Sequence, residues 1–488
     1  MEAYRRIYRM KNLKQIIAVC LILAITFIAF FPCLRNDFVN YDDSIYVTSN
    51  PVVQSVALAN FKKVFTSFFS GHYQPLTILS FLFEYHFFKL NPFGYHLTNL
   101  ILHLLNSLFV FWFVYLLSKN IPVSCITAIL FGIHPLQVES VAWISERKNV
   151  LYAFFFLGAV ISYLYYFLRG RKLKYYFLCL SLFILSLLSK SMAVTLSLVL
   201  FLMDYLFGRK ADKTMLVEKI PFFVLSLIFG IIAIFGVHSS GAIRQESTYS
   251  LLSILIVASY GIVFYLSRIF LPFKLSCLYP YYGTDNIFFF YSMITVVILT
   301  IGVIISSKDT RKVIFGSAFF LCALLPALQF IPNGEIIVAD RYVYLSSIGI
   351  FYILAEGFIW LYTRINLYRS KQVLFLIIIA GTICILGALT WKRCSVWKDS
   401  LTLWNAVLEK YPNAIMAYNN RAATFFERKE YEKSISDFKH VIGCVSDGDK
   451  ITIYLYLTYI YRLMGNNEEE NMFYSKAKET RRKLIQQY

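Results

Sequence analysis

Long apolar runs separated by short polar segments dominate the first 395 residues of the chain. A helix needs about 20 apolar residues to cross the hydrocarbon core of a bilayer, and most of the runs approach that length. Because unpaired backbone groups are too costly in lipid, the runs predict an all-α, polytopic membrane protein. They cover residues 14–31, 95–117, 122–140, 150–168, 174–190, 192–207, 220–237, 251–271, 287–306, 312–330, 342–362 and 372–391.

Clusters of lysine and arginine indicate which polar segments face the cytoplasm, since cytoplasmic loops are rich in these residues. Alternating crossings fit the clusters as far as residue 237. Beyond it they fit only if run 251–271 lies in the interface or re-enters, which gives about 11 crossings. If that run crossed, the C-terminal tail would be cytoplasmic. The clusters are Arg5, Arg6, Arg9, Lys11 and Lys14; Arg169, Arg171, Lys172 and Lys174; Arg209, Lys210 and Lys213; Lys308, Arg311 and Lys312; and Arg364, Arg369 and Lys371.

The outer face then collects several loops. Two segments of the first outer loop, SVALANFKKVFTSFF and QPLTILSFLFEYHFFKL, are predicted to be helices on the membrane surface. A later polar stretch, SSGAIRQESTYS, is typical of a flexible segment that gates a site. The outer loops comprise residues 32–94, 134–149, 190–191, 238–286, 331–341 and everything after 391.

The composition changes near residue 395, and residues 396–488 have helical periodicity without a spanning run. RKEYEKSISDFKHVI and MGNNEEENMFYSKAK align with a shift of 36, and each follows a tyrosine-rich helix. The pattern resembles tetratricopeptide repeats. We therefore predict a domain boundary at 395/396 and a C-terminal TPR-like α-solenoid that either binds a protein partner or packs on a neighbour.

The formal charge of +19 has two readings. In a soluble chain it would indicate nucleic-acid binding, but here the basic residues sit between apolar runs and report topology. We expect no nucleic-acid partner. The nine cysteines are scattered, without a C-x-x-C motif, and are read as small core residues with no disulfide or metal framework.

Charged residues gather at the outer ends of the predicted spans. Ionisable groups near a membrane interior are costly unless paired or used, so a cluster at one face is a candidate site. Acids there can supply a base, and cations can bind an anionic group at the depth of a lipid phosphate. The candidates are Asp42, Asp43, His134, Glu139, Glu146, Arg147, Lys148, Lys190, Asp340 and Arg341.

These residue types suit transfer of a sugar from a polyprenyl phosphate to a hydroxyl. The hydroxyl must lose a proton as it attacks the anomeric carbon, so a carboxylate within hydrogen-bond reach serves as the base. The departing phosphate gains charge, which arginine and lysine stabilise. Back-side attack inverts the anomeric centre, by analogy with inverting hydrolases.

Six segments together resemble the transmembrane and tetratricopeptide-repeat O-mannosyltransferase-like proteins of the GT-C superfamily. The order of the segments is more specific than any one of them. The resemblance implies a GT-C fold in residues 1–395, a lipid-linked sugar donor and an active site on the outer face. The segments are NYDDSIYVTSNPVV, YQPLTILSF, NPFGYHLTNLILHLLNSL, GIHPLQVESVAWISERKNVL, LLSKSMAVTLSLVLFLMDY and ADRYVYLSSIG.

The resemblance also implies roles for individual residues. The family's acidic pair corresponds to Asp42 and Asp43, with Asp42 as the base and Asp43 orienting it or the acceptor. The family's HPxxVExxxWxxxRK segment supplies Glu139 as a second acid. We expect Arg147, Lys148, Lys190 and Arg341 to bind the donor phosphate, with His72, His134 and Asp340 as further site candidates.

The chain departs from the family pattern at three places. GHYQPLT has His72 and Tyr73 near where relatives often have tryptophan, and Asn149 replaces a common aspartate. The repeat array is short, which leaves the acceptor open between a protein hydroxyl and a glycan.

The acidic candidates also have structural interpretations. Asp42 and Asp43 can cap a turn, since aspartate suits turns and helix starts. Glu139 can be a solvated loop acid. A divalent cation is an alternative use of the carboxylates, although an Asp-Asp pair alone is a weak ligand set. No cofactor beyond the lipid-linked sugar is expected.

The basic candidates have structural interpretations as well. Arg147 and Lys148 can anchor lipid headgroups, and Lys190 can extend to the membrane surface. Asp340 and Arg341 can form a mutual ion pair that orders their loop. His96 and His103, seven residues apart on one span, indicate a polar interhelical contact more than a metal site.

The sequence thus favours an integral membrane glycosyltransferase with a polyprenyl-phosphate donor and a hydroxyl acceptor. Two other functions stay open: a lipid-glycan ligase or polymerase with a saccharide acceptor, and a non-enzymatic scaffold that recruits partners through its repeats. The N-terminus reads as an uncleaved first span. The chain is expected in a bacterial inner membrane, with site and repeats on the periplasmic face.

Overall fold

The computed structural model describes residues 2–239, 250–280, 287–306, 311–330, 336–364 and 369–486. The predicted gating segment SSGAIRQESTYS therefore lies almost wholly outside the described residues. Lys308 of the basic clusters and residues 331–335 of an outer loop also lie outside them. Within the described ranges the chain is helical, and an isolated bridge between Phe69 and His72 is its β-type pairing. The all-α prediction is confirmed.

The described part of the chain forms 20 α-helices linked by short 3₁₀ and π turns. They are α1 (Glu2–Phe30), α2 (Leu58–Thr66), α3 (Pro75–Phe88), α4 (Pro92–Ser118), α5 (Ile121–Ile133), α6 (Val138–Ala142), α7 (Arg147–Leu168), α8 (Leu173–Ser189), α9 (Leu196–Leu206), α10 (Lys213–Ser239), α11 (Leu251–Phe270), α12 (Ile287–Ser306), α13 (Arg311–Leu324), α14 (Ser347–Arg364), α15 (Arg369–Cys394), α16 (Ser400–Lys410), α17 (Ile415–Glu427), α18 (Tyr431–Ile442), α19 (Asp447–Leu463) and α20 (Asn467–Gln486).

The chain divides into two compact units. The first unit contains Met1–Asp37 and Asp43–Ser395, and the second contains Phe38–Asp42 and Val396–Tyr488. Five residues of the first outer loop therefore belong with the C-terminal helices, which the boundary at 395/396 does not anticipate.

Seven helices in the described residues are long and apolar enough to cross a membrane, or eight if a bent pair is one span. The bent pair joins α5 to Pro135–Ala142 at an angle of 51°. The seven spans are Leu13–Arg35, Pro92–Ser118, Ile144–Leu168, Lys213–Ser239, Leu251–Phe270, Phe288–Ile305 and Ser370–Trp397. A polytopic helical membrane protein is thereby confirmed.

Several predicted runs form helices shorter than a full span. α8 has 17 residues and α13 has 14, below the roughly 20 needed to cross the hydrocarbon core. α11 passes by length and composition, although the basic clusters favour keeping it in the interface. The total of about 11 crossings stays a prediction.

The central and peripheral spans differ in burial. In Ile144–Leu168, 67% of the apolar window is buried, whereas in Lys213–Ser239 the share is 11%. α7 packs against α4 and α8 and forms the middle of the first unit. Its two ends consequently hold buried polar groups.

The C-terminal end of α7 carries a compact set of charges, here called the Asp204 network: Tyr163, Asp204, Arg209, Glu218 and Lys219. Lys219 Nζ lies 2.7 Å from Asp204 Oδ2, and the Tyr163 hydroxyl donates to Asp204 Oδ1 at 2.6 Å. Arg209 Nη1 donates to Glu218 Oε2 at 2.7 Å. The network ties α7 to α9 and α10.

Two glycines allow the backbones of α13 and α14 to touch. A Cβ placed on Gly349 would collide with the carbonyl oxygen of Gly316, and a Cβ on Gly316 would lie 2.6 Å from the oxygen of Gly349. Small residues at a crossing permit this kind of close approach between membrane helices. The contact fixes the first turn of α14.

The second unit consists of helical hairpins. α17 pairs with α18 and α19 with α20, around buried Phe438, Val441 and Leu457. The shift of 36 matches Val441 to Ala477, and both are buried; the match of Phe438 to Tyr474 is wrong, because Tyr474 is 47% exposed and Phe473 fills the core instead.

Candidate functional site

Five of the charged residues at predicted outer span ends lie close together in the first unit. They form what we call the Glu146 cluster: Glu139, Glu146, Lys148, Lys190 and Arg341. Glu146 Oε1 lies 3.1 Å from Lys148 Nζ, and its Oε2 lies 3.4 Å from Lys190 Nζ. Arg341 Nε is 3.6 Å from Glu146 Oε1.

The bend between α5 and α6 turns the chain toward the cluster. The Leu136 amide donates to His134 Nδ1 at 3.3 Å, so Nε2 carries the proton and donates to the carbonyl of Ile269 at 3.0 Å. His134 thus caps the turn that precedes α6. It lies outside the Glu146 cluster, and both of its ring nitrogens bond backbone groups.

Glu139 projects from α6 and pairs with the 3₁₀ turn Asp340–Val343. Arg341 Nη1 donates to Glu139 Oε1 at 2.5 Å, and the carboxylate is fully buried. Glu139 Oε2 has no hydrogen-bond partner among the described residues. A solvated loop acid is therefore the wrong interpretation of Glu139, and one of its oxygens is available to a hydroxyl.

The cations of the cluster stand closer to solvent than its acids. Lys148, Lys190 and Arg341 side chains are 8%, 13% and 10% exposed, against 1% and 0% for Glu146 and Glu139. Three cations face two carboxylates, which leaves one excess positive charge. An entering anion would meet the positive groups first.

Aromatic rings support two of these cations. Lys148 Nζ lies 4.8 Å from the ring centroid of Tyr46 and 5.7 Å from that of Trp143. Arg341 Cζ lies 5.5 Å from the same Trp143 ring. Cation–π attraction partly replaces lost hydration without neutralising the charge. The cations thereby keep their attraction for an anion.

Asn149, where the family pattern has aspartate, links three parts of the site. Its Oδ1 accepts from Lys190 Nζ at 2.6 Å. Its Nδ2 donates to Ser140 Oγ at 3.1 Å and to the carbonyl of Arg341 at 3.0 Å. An ionised aspartate could accept but not donate, so the amide suits this position.

Burial lowers the pKa of Lys190 to about 8, against the opposing effect of Glu146, which raises it. Near neutral pH the amine remains mostly protonated. The same burial leaves it a weakly hydrated cation, which an anion can approach at low desolvation cost.

Asp43 is anchored next to the cluster. Its Oδ1 accepts from the Ser145 amide at 3.1 Å and from the Ser145 hydroxyl, one residue before Glu146. Asp43 is buried, whereas Asp42 is partly accessible and groups with the second unit. The two adjacent carboxylates thus have different surroundings.

His72 is solvent-exposed by surface area, yet protein atoms surround it closely enough for burial to lower its pKa to about 4. Lys148 and Lys190 lower it further. The effect of these two lysines on its pKa shows that His72 lies near the Glu146 cluster. His72 is neutral at physiological pH.

Arg147 lies in a different network, although it precedes Lys148. Its guanidinium donates to Asn99 Oδ1, to the Tyr95 carbonyl at 2.9 Å and to Ser80 Oγ at 3.4 Å, and it pairs with Glu84 at 2.9 Å. Burial raises the pKa of Glu84, with Arg147 opposing.

Asp340 does not pair with its neighbour Arg341, so that alternative is wrong. Arg393 Nη2 lies 3.0 Å from Asp340 Oδ2, and the Tyr279 hydroxyl donates to Oδ1 at 2.7 Å. Burial raises the pKa of Asp340, and Arg393 opposes the rise. Because Arg393 pairs with Asp340, Arg341 pairs instead with Glu139 and Glu146.

Tyr279 also forms part of a cavity wall. The cavity has a volume of about 450 Å³ and lies between α11 and α12, beside residues 337–338. Its lining is largely apolar and aromatic, with Phe264, Phe288 and Phe289 among the residues. Such a lining suits a hydrocarbon chain.

The described residues contain no group of three His, Cys, Asp or Glu side chains placed to hold a metal ion. His103 is used instead in helix packing, bonded to the Tyr344 hydroxyl at 2.8 Å and near the Gly132 carbonyl at 3.0 Å. The interhelical interpretation of His103 is confirmed.

These features define a multi-pass helical membrane protein with a buried, net-positive charge cluster at the start of its central helix. Over most of its length the chain is similar to curated proteins named protein O-mannosyl-transferases, which confirms the family resemblance of the motifs. One from Caenorhabditis elegans is 26% identical over 428 residues, covering 82% of this chain and 59% of that protein.

Two human proteins of the same name are also similar. TMTC3 is 23% identical, covering 85% of this chain and 49% of its own length, and TMTC1 is 24% identical, covering 79% and 50%. The chain spans about half the length of the curated relatives it matches. No family model matches it.

Among solved structures, the chain is similar to the oligosaccharyltransferase of Archaeoglobus fulgidus with a tethered acceptor peptide. The identity is 13% and the TM-score 0.43, covering 78% of this chain and 55% of that one. A likeness at that level carries no inference about chemistry.

Proposed function

We propose that the chain is an integral membrane glycosyltransferase that moves a sugar from a polyprenyl-phosphate donor to a hydroxyl, on a protein serine or threonine. The Glu146 cluster carries this proposal, because its buried cations outnumber its carboxylates and are the more accessible groups. The names of the curated relatives support a protein acceptor and mannose as the first sugar to test.

Lys148, Lys190 and Arg341 bind the donor phosphate in this proposal. The phosphate is anionic in the bound donor and gains charge as the glycosidic bond breaks, so the cations stabilise the transition state more than the ground state. The cavity beside Tyr279 supports the hydrocarbon part of the donor, since Tyr279 bonds to Asp340, the neighbour of Arg341.

Asp42 is the proposed base. The acceptor oxygen attacks the anomeric carbon, the bond from that carbon to the phosphate oxygen breaks, and the hydroxyl proton passes to the Asp42 carboxylate. The phosphate leaves with the bonding electron pair, and the anomeric configuration inverts. Asp43, held by Ser145, orients the turn that carries Asp42.

Glu139 and His72 complete the proposed site. Glu139 Oε2 accepts a hydrogen bond from a hydroxyl of the sugar or acceptor, which would satisfy its open position. Neutral His72, near the cluster, contacts the substrate. Arg147 and Asp340 are not included, because Glu84 and Arg393 take up their charges.

A divalent cation has no proposed role in the steps above. Asp43 is engaged by Ser145, and the described carboxylates and histidines do not form a three-ligand group. All steps are therefore assigned to residues of the chain.

The test is transfer by purified full-length protein in lipid nanodiscs, using a panel of polyprenyl-phosphate sugars with peptide and glycan acceptors. We expect transfer from one donor to a serine or threonine peptide, and loss of transfer in Asp42→Asn. Transfer to glycans alone would identify a lipid-glycan ligase. No transfer from any donor, with Asp42→Asn still complementing a deletion strain, would favour the scaffold.

The proposed side of the membrane has its own test. We propose that the site and the repeats face the periplasm of a bacterial inner membrane. A reporter fused after residue 488 should be active in the periplasm and inactive in the cytoplasm. The reverse result would require α11 to cross the membrane.

A further inference from the structure

A short piece of the first outer loop is built into the C-terminal unit. Phe38–Asp42 groups with Val396–Tyr488 and not with the sequence on either side of it. Val39 is buried there, and the rest of the piece has turn or extended backbone. The residue proposed as base, Asp42, is the last of the five.

Asn40 is the anchor of this piece. Its amide nitrogen Nδ2 donates to the Asn420 carbonyl at 2.7 Å and to Thr424 Oγ1 at 2.9 Å. Its Oδ1 accepts from Trp404 Nε1 at 2.6 Å, and its backbone N–H donates to Ser400 Oγ at 3.0 Å. Both side-chain N–H groups of Asn40 are thus in use.

The next residue adds an aromatic contact. The rings of Tyr41 and Trp404 meet edge-on with centroids 5.3 Å apart, and Trp404 is fully buried. Two helices, α16 with Ser400 and Trp404 and α17 with Asn420 and Thr424, thereby hold residues 40–41. Four directional bonds on one asparagine specify its orientation far more than hydrophobic packing would.

The chain is anchored again immediately after Asp42. Asp43 accepts from the amide and the hydroxyl of Ser145 within the first unit. Along the chain, Asp42 is thus preceded by the bonded Asn40, two positions earlier, and followed directly by the bonded Asp43, with Tyr41 as its immediate neighbour. Such a residue has little freedom to change its backbone position.

We propose that Asn40, held by Trp404 and Thr424, is a positioning residue for Asp42, which follows it by two residues. This rests on the proposed function of Asp42. A displacement of about 1 Å in a catalytic group can lower the rate about 100-fold, so the loss of the Asn40 anchor has a measurable kinetic effect.

The competing interpretation is that Asn40 only stabilises the repeat unit. Loss of stability would reduce the amount of active protein without changing the kinetics per molecule. A positioning role instead lowers kcat and leaves KM for the lipid donor unchanged, because the donor contacts lie on other residues.

The experiment measures kcat and KM for Asn40→Ala, Asp42→Asn and the double variant, in full-length protein in nanodiscs. We expect Asn40→Ala to lower kcat about 10- to 100-fold with donor KM within about twofold. In the Asp42→Asn background the same change should lower the residual rate less than about twofold, since the group it positions is gone.

Arg421→Gln is the matched control. Arg421 lies on α17, one of the helices that hold Asn40, and its replacement breaks a 2.7 Å pair with Asp437 on α18 without touching Asn40. Its kcat should match that of the unaltered chain. If Asn40→Ala does not fold, Trp404→Phe is the second variant, because it removes the N–H that donates to Asn40 Oδ1 and keeps an aromatic ring. We expect it to lower kcat about three- to tenfold.

The outcomes separate the inference from the proposed function. An unchanged kcat in Asn40→Ala, with Asp42→Asn inactive, overturns the positioning role alone, as does an equal loss in both backgrounds. A normal rate in Asp42→Asn overturns the proposed base. A loss in Asn40→Ala equal to that in Arg421→Gln reduces Asn40 to a stabilising residue.

Discussion

The two ends of α7 carry buried charges in two different arrangements. In the Asp204 network all four carboxylate oxygens of Asp204 and Glu218 accept hydrogen bonds, from Tyr163, Lys219, Tyr166 and Arg209. In the Glu146 cluster, Glu139 Oε2 accepts none among the described residues. Lys148 and Tyr163 are about 22 Å apart along the helix.

The difference is the one expected between buried charges that hold helices together and buried charges that bind a ligand. Asp204 and Glu218 gain the satisfied contacts that a buried ion pair needs to persist. The Glu146 cluster keeps an excess cation and an open acceptor on Glu139, at a cost in stability that a purely structural cluster would not require. The comparison predicts that changes in one arrangement alter activity and changes in the other alter stability.

The largest expected effect is at Asp42. Asp42→Asn removes the proposed base, and general-base catalysis contributes about 10²- to 10⁴-fold to the rate. Transfer should fall by that factor while the thermal unfolding midpoint stays unchanged. Radiolabelled donor detects the residual rate. If Asp42→Asn has normal turnover, the base does not lie in the outer loop, and the Glu146 cluster and the Asp204 network no longer differ in function.

The Asp204 network should respond in stability. Lys219→Met leaves Asp204 without its nearest cation, which should lower the free energy of unfolding by about 3 kcal/mol or more. Transfer per folded molecule should be unchanged. Denaturation in detergent measures the stability, and Arg171→Gln is the control, because Arg171 is 45% exposed and 4.0 Å from Glu218. A greater loss of turnover than of stability would contradict a structural role.

Lys190 should show the opposite response. Lys190→Gln removes a phosphate contact while Lys148 and Arg341 remain beside Glu146, so kcat/KM for the donor should fall about 10- to 100-fold with little loss of stability. Lys312→Gln, at a half-exposed pair with Glu356, should leave both quantities unchanged. Equal donor kinetics in the two variants would show that Lys190 does not bind the donor.

The pH dependence follows from the same lysine. The lowered pKa of Lys190, about 8, means that its positive charge is lost as pH rises through that value. Donor kcat/KM, which reports the free enzyme, should therefore decline above pH 8, toward about tenfold per pH unit. Lys190→Arg should remove the decline, since arginine stays charged. If kcat/KM of Lys190→Arg still declines above pH 8, the decline belongs to another group.

The smallest expected effect is at Asn149. Asn149→Asp can still accept from Lys190 but cannot donate to Ser140 or to the Arg341 carbonyl, and it cancels the excess charge of the cluster. The Ser140 hydroxyl can donate to the new carboxylate, so the net loss is one hydrogen bond of about 1 kcal/mol, which corresponds to about a fivefold rise in donor KM. Ser140→Ala, which removes one partner without adding charge, should have a smaller effect. A lower KM in Asn149→Asp would mean that the net charge does not attract the donor.

The apolar runs and the order of motifs predict most of the helices and bring Glu139, Lys190 and Arg341 to one place. Hydrophobic periodicity is local, so it can be read from a single chain. Glu146, the centre of the cluster, was one acid among several at the span ends. Its central position follows from two partners that are distant in sequence, Lys190 and Arg341, in addition to the nearby Lys148.

Most of the contacts that could not be predicted join residues that are far apart in the sequence. Arg147 and Lys148 are consecutive, but neighbours on a helix point about 100° apart, and here Arg147 pairs with Glu84 while Lys148 pairs with Glu146. The periodicity of α7 contains that signal. No such signal exists for Arg393 with Asp340, or for Asn40 with α16 and α17, because those contacts depend on how separate helices pack.

The bare contact of Gly316 with Gly349 has a consequence for how this fold can vary. Gly349 lies in the first turn of α14, a few residues after the turn that holds Asp340 and Arg341. A methyl group added at either glycine would push α13 and α14 apart. The shift of α14 would then displace Arg341 through the backbone. A position with no side chain of its own thereby limits how far the proposed phosphate-binding Arg341 can move, and inherited variation there should be as restricted as at a charged residue.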